Sequence, residues 1–153
     1  MQRAYFAAGC FWGIEATFRA VTGVSDTAVG YGGGQSANPT YRDICSGDTG
    51  HAEIVELVFD SEQLSFAELL RIFWSCHDPT SLNRQGPDVG SQYRSAIFFT
   101  SPEQEATIRE SVVEAQPRFR SAIVTQVTAF ETFYRAEEYH QRYLEKHGRV
   151  QCH

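Results

Sequence analysis

The chain has 153 residues, 42% of them hydrophobic and 13% aromatic, enough to bury one sizeable core within the usual size of a single domain. Its formal net charge of -6 comes with Lys and Arg scattered singly, so there is no basic stripe to neutralise a run of phosphates, and nucleic acid is excluded as an expected partner. No apolar stretch approaches the roughly 20 residues of a membrane span, and Met1-Gln2-Arg3-Ala4-Tyr5 lacks the length and pattern of a signal peptide, so the expected setting is the cytoplasm, off the membrane.

Tyr5 to Ala8 reads as a short apolar strand ending at Gly9-Cys10, and Trp12 to Ala20, followed by Val21, carries Ile14 and Phe18 at helical spacing. Cys10 therefore sits at a strand-to-helix turn. A thiol there meets the positive end of the helix dipole and unsatisfied backbone N–H groups, both of which favour thiolate; the competing reading is a small buried core residue. Val24 to Tyr31 forms a second strand before Gly30-Tyr31-Gly32-Gly33-Gly34. That glycine run lacks the Lys-Ser/Thr of a P-loop and the spacing of a dinucleotide fingerprint, which sets nucleotides aside. Glu53 to Phe59 alternates as a third strand, with Glu53, Val55, Leu57 and Phe59 on one face. Desolvation on that apolar face is expected to raise the pKa of Glu53 and keep it protonated; a strand-end carboxylate reaching water is the alternative.

Ser65 with Glu68 forms a capping box before the stripe Phe66, Leu69, Leu70 and Phe73, predicting a helix to about Cys76, whose thiol falls on the apolar face. Asp78 to Gln92 is rich in Pro, Gly, Asn and Asp without periodicity and is a candidate active-site wall, although Pro87-Asp88 with Gly90 also fits ordinary turn chemistry. Tyr93 to Thr100 reads as a strand, Ser101-Pro102 with Gln104 opens a helix, Ala122 to Phe130 gives a further strand, and a helix over 136–146 is stopped by Gly148. The tail 148–153, carrying Cys152, is expected to be mobile. This order of strands and helices predicts one α+β domain over residues 1–153, a two-layer sandwich around a mixed β-sheet, ferredoxin-like in type.

Cys10, Cys45, Cys76 and Cys152 are too few and too widely spread for a secreted disulfide scaffold, so redox chemistry of thiols is the better expectation. The adjacent pairs Cys76-His77 and Cys152-His153 do not supply the spacings of a structural zinc site, and no metal is expected.

The string Gly9-Cys10-Phe11-Trp12-Gly13 resembles the active-site signature of the A-type peptide methionine sulfoxide reductases. Asn38-Pro39-Thr40-Tyr41, Cys45 to Glu53, His77-Asp78-Pro79-Thr80, Gln85-Gly86-Pro87-Asp88, Gln92-Tyr93-Arg94-Ser95 and Tyr139-His140-Gln141 are similar to that family in its order, across nearly the whole chain. The resemblance implies a thioredoxin-dependent oxidoreductase of protein repair under oxidative stress, acting as a monomer on the S epimer of methionine sulfoxide, in oxidised proteins or free. Cys10 is implied as the nucleophile on the sulfoxide sulfur and Glu53 as the acid that protonates the oxygen. Asp88 and Tyr93 would polarise or hydrogen-bond that oxygen and the acid, and Phe11, Trp12 and Tyr41 would surround the methyl group. A Cys10 sulfenic acid would follow and condense with Cys152 into a disulfide that thioredoxin reduces, without a bound cofactor. The family's glycine-rich extension is not seen beyond Cys152, so a second recycling thiol is not expected.

The resemblance gives Cys45, between Tyr41 and Glu53, no catalytic step; His51 and His140 are candidate donors behind the site, although histidines at such positions are more often satisfied structural groups. Two other readings stay open on the residues alone. One is a cysteine hydrolase with His51 or His140 as base and Asp88 as its orienter; the other is a module that grips methionine or records oxidant without turnover.

Overall fold

Runs of aromatic and β-branched residues form a sheet, and amphipathic stripes form the helices that cover it. In the computed structural model, which describes residues 1–46 and 49–147, the elements follow as β1 (Gln2–Ala8), α1 (Phe11–Arg19), β2 (Val24–Gly32), α2 (Tyr41–Cys45), β3 (Ala52–Phe59), α3 (Phe66–Ser75), β4 (Arg84–Gln85), β5 (Asp88–Val89), β6 (Ser95–Phe99), α4 (Pro102–Ala115), β7 (Gln126–Ala129), β8 (Phe133–Arg135) and α5 (Tyr143–Lys146). The architecture is α+β. Its mixed sheet runs β7-β6-β1-β3-β2-β8, with every neighbouring pair antiparallel except β6 and β7.

The central strands β1, β3 and β6 are buried on both faces. Ala4, Phe6 and Ala8 of β1 belong to the main core, closed by Phe11, Ile14 and Phe18 of α1 and by Leu69, Leu70 and Phe73 of α3. Burial of each large side chain contributes about 1.5–3 kcal/mol. Tyr5 and Ala7 face a smaller cluster on the other side, where Tyr5 stacks on Phe130 at 4.0 Å. Helix α3 begins as its sequence predicts: Ser65 Oγ accepts from Glu68 N–H at 3.1 Å, and Glu68 Oε1 accepts from Ser65 N–H at 3.2 Å.

Four segments differ from their sequence reading. Thr40 and Asp43 form a second capping box that starts α2, too short to leave a periodic signal. The aperiodic stretch 78–92 contains the hairpin β4–β5, fastened by the Gln85 amide, which accepts from Asp78 N–H at 2.9 Å and donates to Asp78 O at 2.6 Å. The strand expected over 122–130 shortens to β7 because Ile123 N–H goes to Gln116 Oε1 and Val124 N–H to Pro79 O, outside the ladder.

The helix expected over 136–146 is broken. Phe133–Arg135 instead adds β8 to the edge of β2, and a 3-10 turn over Glu138–His140 leads to Arg142 in the left-handed region, φ 52°, before α5. The cause is Gln141. Its buried side chain accepts from Val29 N–H at 2.8 Å and donates to Val29 O and Ala136 O, each at 2.9 Å, holding this segment along β2. Cys152 and the tail 148–153 lie outside the described residues.

Candidate active site

Gly9, with φ of +99°, turns the chain from β1 into α1; a Cβ there would stand 2.9 Å from Gln85 Cβ, so the hairpin packs directly against the turn. Cys10 is the N-cap of α1 and half-buried. The next amide, Phe11 N–H, donates to Glu53 Oε1 at 3.1 Å. Glu53 reaches that helix end because β3 places it in register with Tyr31 on the main-core face, and it is only 2% exposed. Strand alternation and the strand-to-helix turn thus bring nucleophile candidate and acid candidate to one helix end.

Two tyrosines join them. Burial pushes the Tyr93 hydroxyl up to about 12, reinforced by Glu53, Asp88, Cys45 and Cys10, the acidic groups within its electrostatic reach. The Tyr41 hydroxyl is pushed up by burial, by a hydrogen bond with Cys45 and its charge, then by Glu53 and Tyr93. Both hydroxyls keep their protons at neutral pH and serve as donors. Cys45 lies four residues after Tyr41 in α2, on the same helix face.

The aromatic residues converge on His140. Phe11 and Tyr41 place their rings 5.2 and 4.5 Å from its imidazole, and Trp12 Nε1–H donates to its Nδ1 at 3.0 Å. Trp12 also stacks on Tyr143 at 3.9 Å. Accepting at Nδ1 fixes a neutral imidazole with its hydrogen on Nε2, and burial lowers the His140 pKa to match.

Glu137 carries no sign in the sequence, and Gln85 stands there only within the block Gln85-Gly86-Pro87-Asp88, without a role of its own. The Glu137 carboxylate accepts from Tyr31 OH at 3.0 Å and from Tyr41 N–H at 3.1 Å, which anchors the first residue of α2. Burial pushes it up, yet hydrogen bonds from backbone N–H groups and Tyr31 outweigh that and hold it below the usual carboxylate range.

Other candidates have structural settings. His51 Nδ1 accepts from Gly34 N–H at 3.0 Å and its Nε2 lies 2.7 Å from Ser36 O, so both ring nitrogens brace the glycine-rich segment and neither serves a hydrolase as base. The Cys76 thiol donates to Phe73 O at 3.3 Å and burial pushes it up to about 12, the state of an inert core thiol. Among the described residues, no group of three or more His, Cys, Asp or Glu side chains is arranged to hold a metal ion, and no helix is long and apolar enough to cross a membrane.

Residues 2–153 match the family model described as peptide methionine sulfoxide reductase. A relative from Acidobacterium capsulatum named peptide methionine sulfoxide reductase MsrA is 56% identical over 156 residues, covering 100% of this chain and 99% of its own length. Among solved structures, methionine sulfoxide reductase A of Corynebacterium diphtheriae is similar with a TM-score of 0.94 at 40% identity, over 99% of this chain and 77% of that one. Mxr1 from Saccharomyces cerevisiae in reduced form gives a TM-score of 0.92 at 35% identity, over 96% of this chain and 86% of that one, and Mxr1 has also been solved in complex with Trx2.

Proposed function

Because the chain belongs to the peptide methionine sulfoxide reductase family, we propose that it reduces methionine S-sulfoxide, free or within oxidised proteins, by attack of the Cys10 thiolate on the sulfoxide sulfur. The observation that carries the residue assignment is the 3.1 Å hydrogen bond from Phe11 N–H to the buried Glu53 carboxyl at the helix end that Cys10 caps. Two adjacent negative charges in so buried a place are unfavourable, so an ionised thiol at Cys10 goes with a protonated Glu53.

Cys10 attacks the sulfur while Glu53 gives its proton to the sulfoxide oxygen. The substrate's sulfur–oxygen bond breaks, methionine leaves, and the oxygen remains on Cys10 as a sulfenic acid. Tyr41 and Tyr93 are far weaker acids than a carboxyl, so they donate hydrogen bonds to the oxygen and leave proton transfer to Glu53. Asp88, within electrostatic reach of Tyr93, orients that hydroxyl. Phe11 and Trp12, together with the Tyr41 ring, enclose the substrate methyl, a contact that aromatic rings favour with methionine sulfur.

Cys152 then attacks the sulfenic sulfur, water departs, and a Cys10–Cys152 disulfide forms, to be reduced by a thioredoxin with no bound cofactor. The complex of the yeast relative Mxr1 with Trx2 supports that donor. We further read residues 1–153 as one cytoplasmic, monomeric catalytic domain. Its core we read as a two-layer, ferredoxin-like sandwich: apart from the short α2 and the β4–β5 hairpin, the order up to β6 is β1, α1, β2, β3, α3, β6, and the strands neighbour as β6-β1-β3-β2.

The test is dithiol-driven reduction of the two separated sulfoxide epimers. Consumption of the S epimer alone is expected; turnover of neither, or of the R epimer, overturns the reading.

A further inference from the structure

Helix α1 caps its N-terminus with Cys10 and presents Trp12, Glu15 and Arg19 along one face, at the spacing that brings side chains into line. The segment just before the tail lies against that face. Trp12 stacks on Tyr143 at 3.9 Å, Arg19 Nε donates to Glu145 Oε2 at 3.0 Å, and a groove of about 270 Å³ between the two is walled by Ala16, Ala20 and Leu144. At the centre stands Glu15, 1% exposed. One of its oxygens accepts from Arg142 N–H at 2.6 Å and the other from Thr27 OH at 2.7 Å. Its partner Arg142 is the left-handed residue, φ 52°, at which the chain turns into α5. A non-glycine residue there is strained and persists only where its surroundings hold it. A buried carboxyl group given two donors is strongly directional, and removing it takes from the Arg142 amide the acceptor that holds it.

We propose that Glu15 is a positioning residue of the recycling step: by fixing Arg142, it sets the point from which the tail brings Cys152 to the Cys10 sulfenic acid. The inference rests on the recycling route proposed above. From His147 to Cys152 is five residues, a reach of about 17 Å at full extension. With so short a tether, the effective concentration of one thiol at another depends steeply on where the tether starts. The step is condensation of the Cys152 thiol with the Cys10 sulfenic acid, with loss of water.

The experiment follows methionine release and disulfide formation separately in the full chain by rapid quench and mass mapping. In Glu15→Ala the first equivalent of methionine is expected within about threefold of the wild-type rate, with Cys10–Cys152 disulfide formation slowed about tenfold or more, the scale of lost positioning. Glu15→Gln, which keeps an oxygen for Arg142 N–H, should restore it. Glu15→Asp, shorter by one methylene and unable to reach that amide, should repeat the selective loss and serves as the second arm should Glu15→Ala not fold. Wild-type disulfide formation in both Glu15→Ala and Glu15→Asp overturns the proposal. So does an equal fall in both steps, which would make Glu15 merely structural. If the wild-type chain itself forms no Cys10–Cys152 disulfide, the recycling route fails, and the proposal with it.

Discussion

The Glu53 carboxyl meets Phe11 N–H, and a glutamine in its place would still accept from that amide through its oxygen. Glu53→Gln therefore keeps the anchor and removes the acid. The expected result is a fall of about 10²- to 10⁴-fold in single-turnover methionine formation, the range for loss of a general acid, with little change in thermal stability. Rapid quench of one turnover reads it directly, and an unchanged rate would move oxygen protonation to Tyr93 or water. Cys10 and Glu53 each carry a local sign, a thiol between a glycine and a helix start and a carboxylate in an alternating apolar strand, but a core thiol and a strand-end carboxylate stay open on those signs alone, and the resemblance supplies the roles. Asp88, Tyr93 and Tyr41 became candidates only through resemblance. Glu137 had no local sign at all, since its two hydrogen bonds join it to Tyr31 and Tyr41 across 106 and 96 residues.

At the end of α3, His77 ties that helix to β6: its Nδ1 lies 2.7 Å from Phe73 O and its Nε2 lies 2.7 Å from Ser95 Oγ, which in turn pairs with Thr125 Oγ1 at 2.8 Å. A neutral imidazole fits this chain, donating through Nδ1 and accepting through Nε2. Burial pushes its pKa down from 6.5 to about 4. Between those values the unfolded chain binds a proton that the folded chain refuses. The contribution of His77 is thus fully present above pH 6.5 and is lost as the pH falls toward 4, at up to about 1.4 kcal/mol per pH unit. Denaturant midpoints from pH 7 to 4.5 should show this slope in the wild type and a smaller one in His77→Gln; equal slopes would place the acid sensitivity elsewhere. Elements with local signals were read correctly, as the capping box of Ser65 and Glu68 shows. The segment 136–146 was misread as a helix because its course is decided by Gln141 reaching Val29, a contact 112 residues apart.

For the molecule as a whole, reduction and recycling are separable. Methionine departs when Cys10 becomes a sulfenic acid, before Cys152 acts. Cys152→Ser should therefore release about one equivalent of methionine, while thioredoxin-driven turnover collapses, because thioredoxin exchanges with an accessible disulfide and a sulfenic acid inside an aromatic pocket offers none. Mass analysis after a single turnover checks it: a lost first equivalent would bring Cys152 into the chemical step, and full turnover would give its role to another thiol, with Cys45, the hydrogen-bond partner of Tyr41, the candidate. The mixed α+β character was legible from the order of elements, whereas β8 was not, since it exists by pairing with β2. That edge has a consequence for local opening. The Val29 amide hydrogen is bonded to the side chain of Gln141 and not to a strand neighbour, while Val29 O is shared by that side chain and Ala136 N–H. Deuterium reaches an amide when its own hydrogen bond opens. The exchange rate of Val29 is then set by release of the segment around Gln141, even while the β2–β3 ladder stays shut, so one amide in the middle of β2 measures the free energy with which the C-terminal segment is docked.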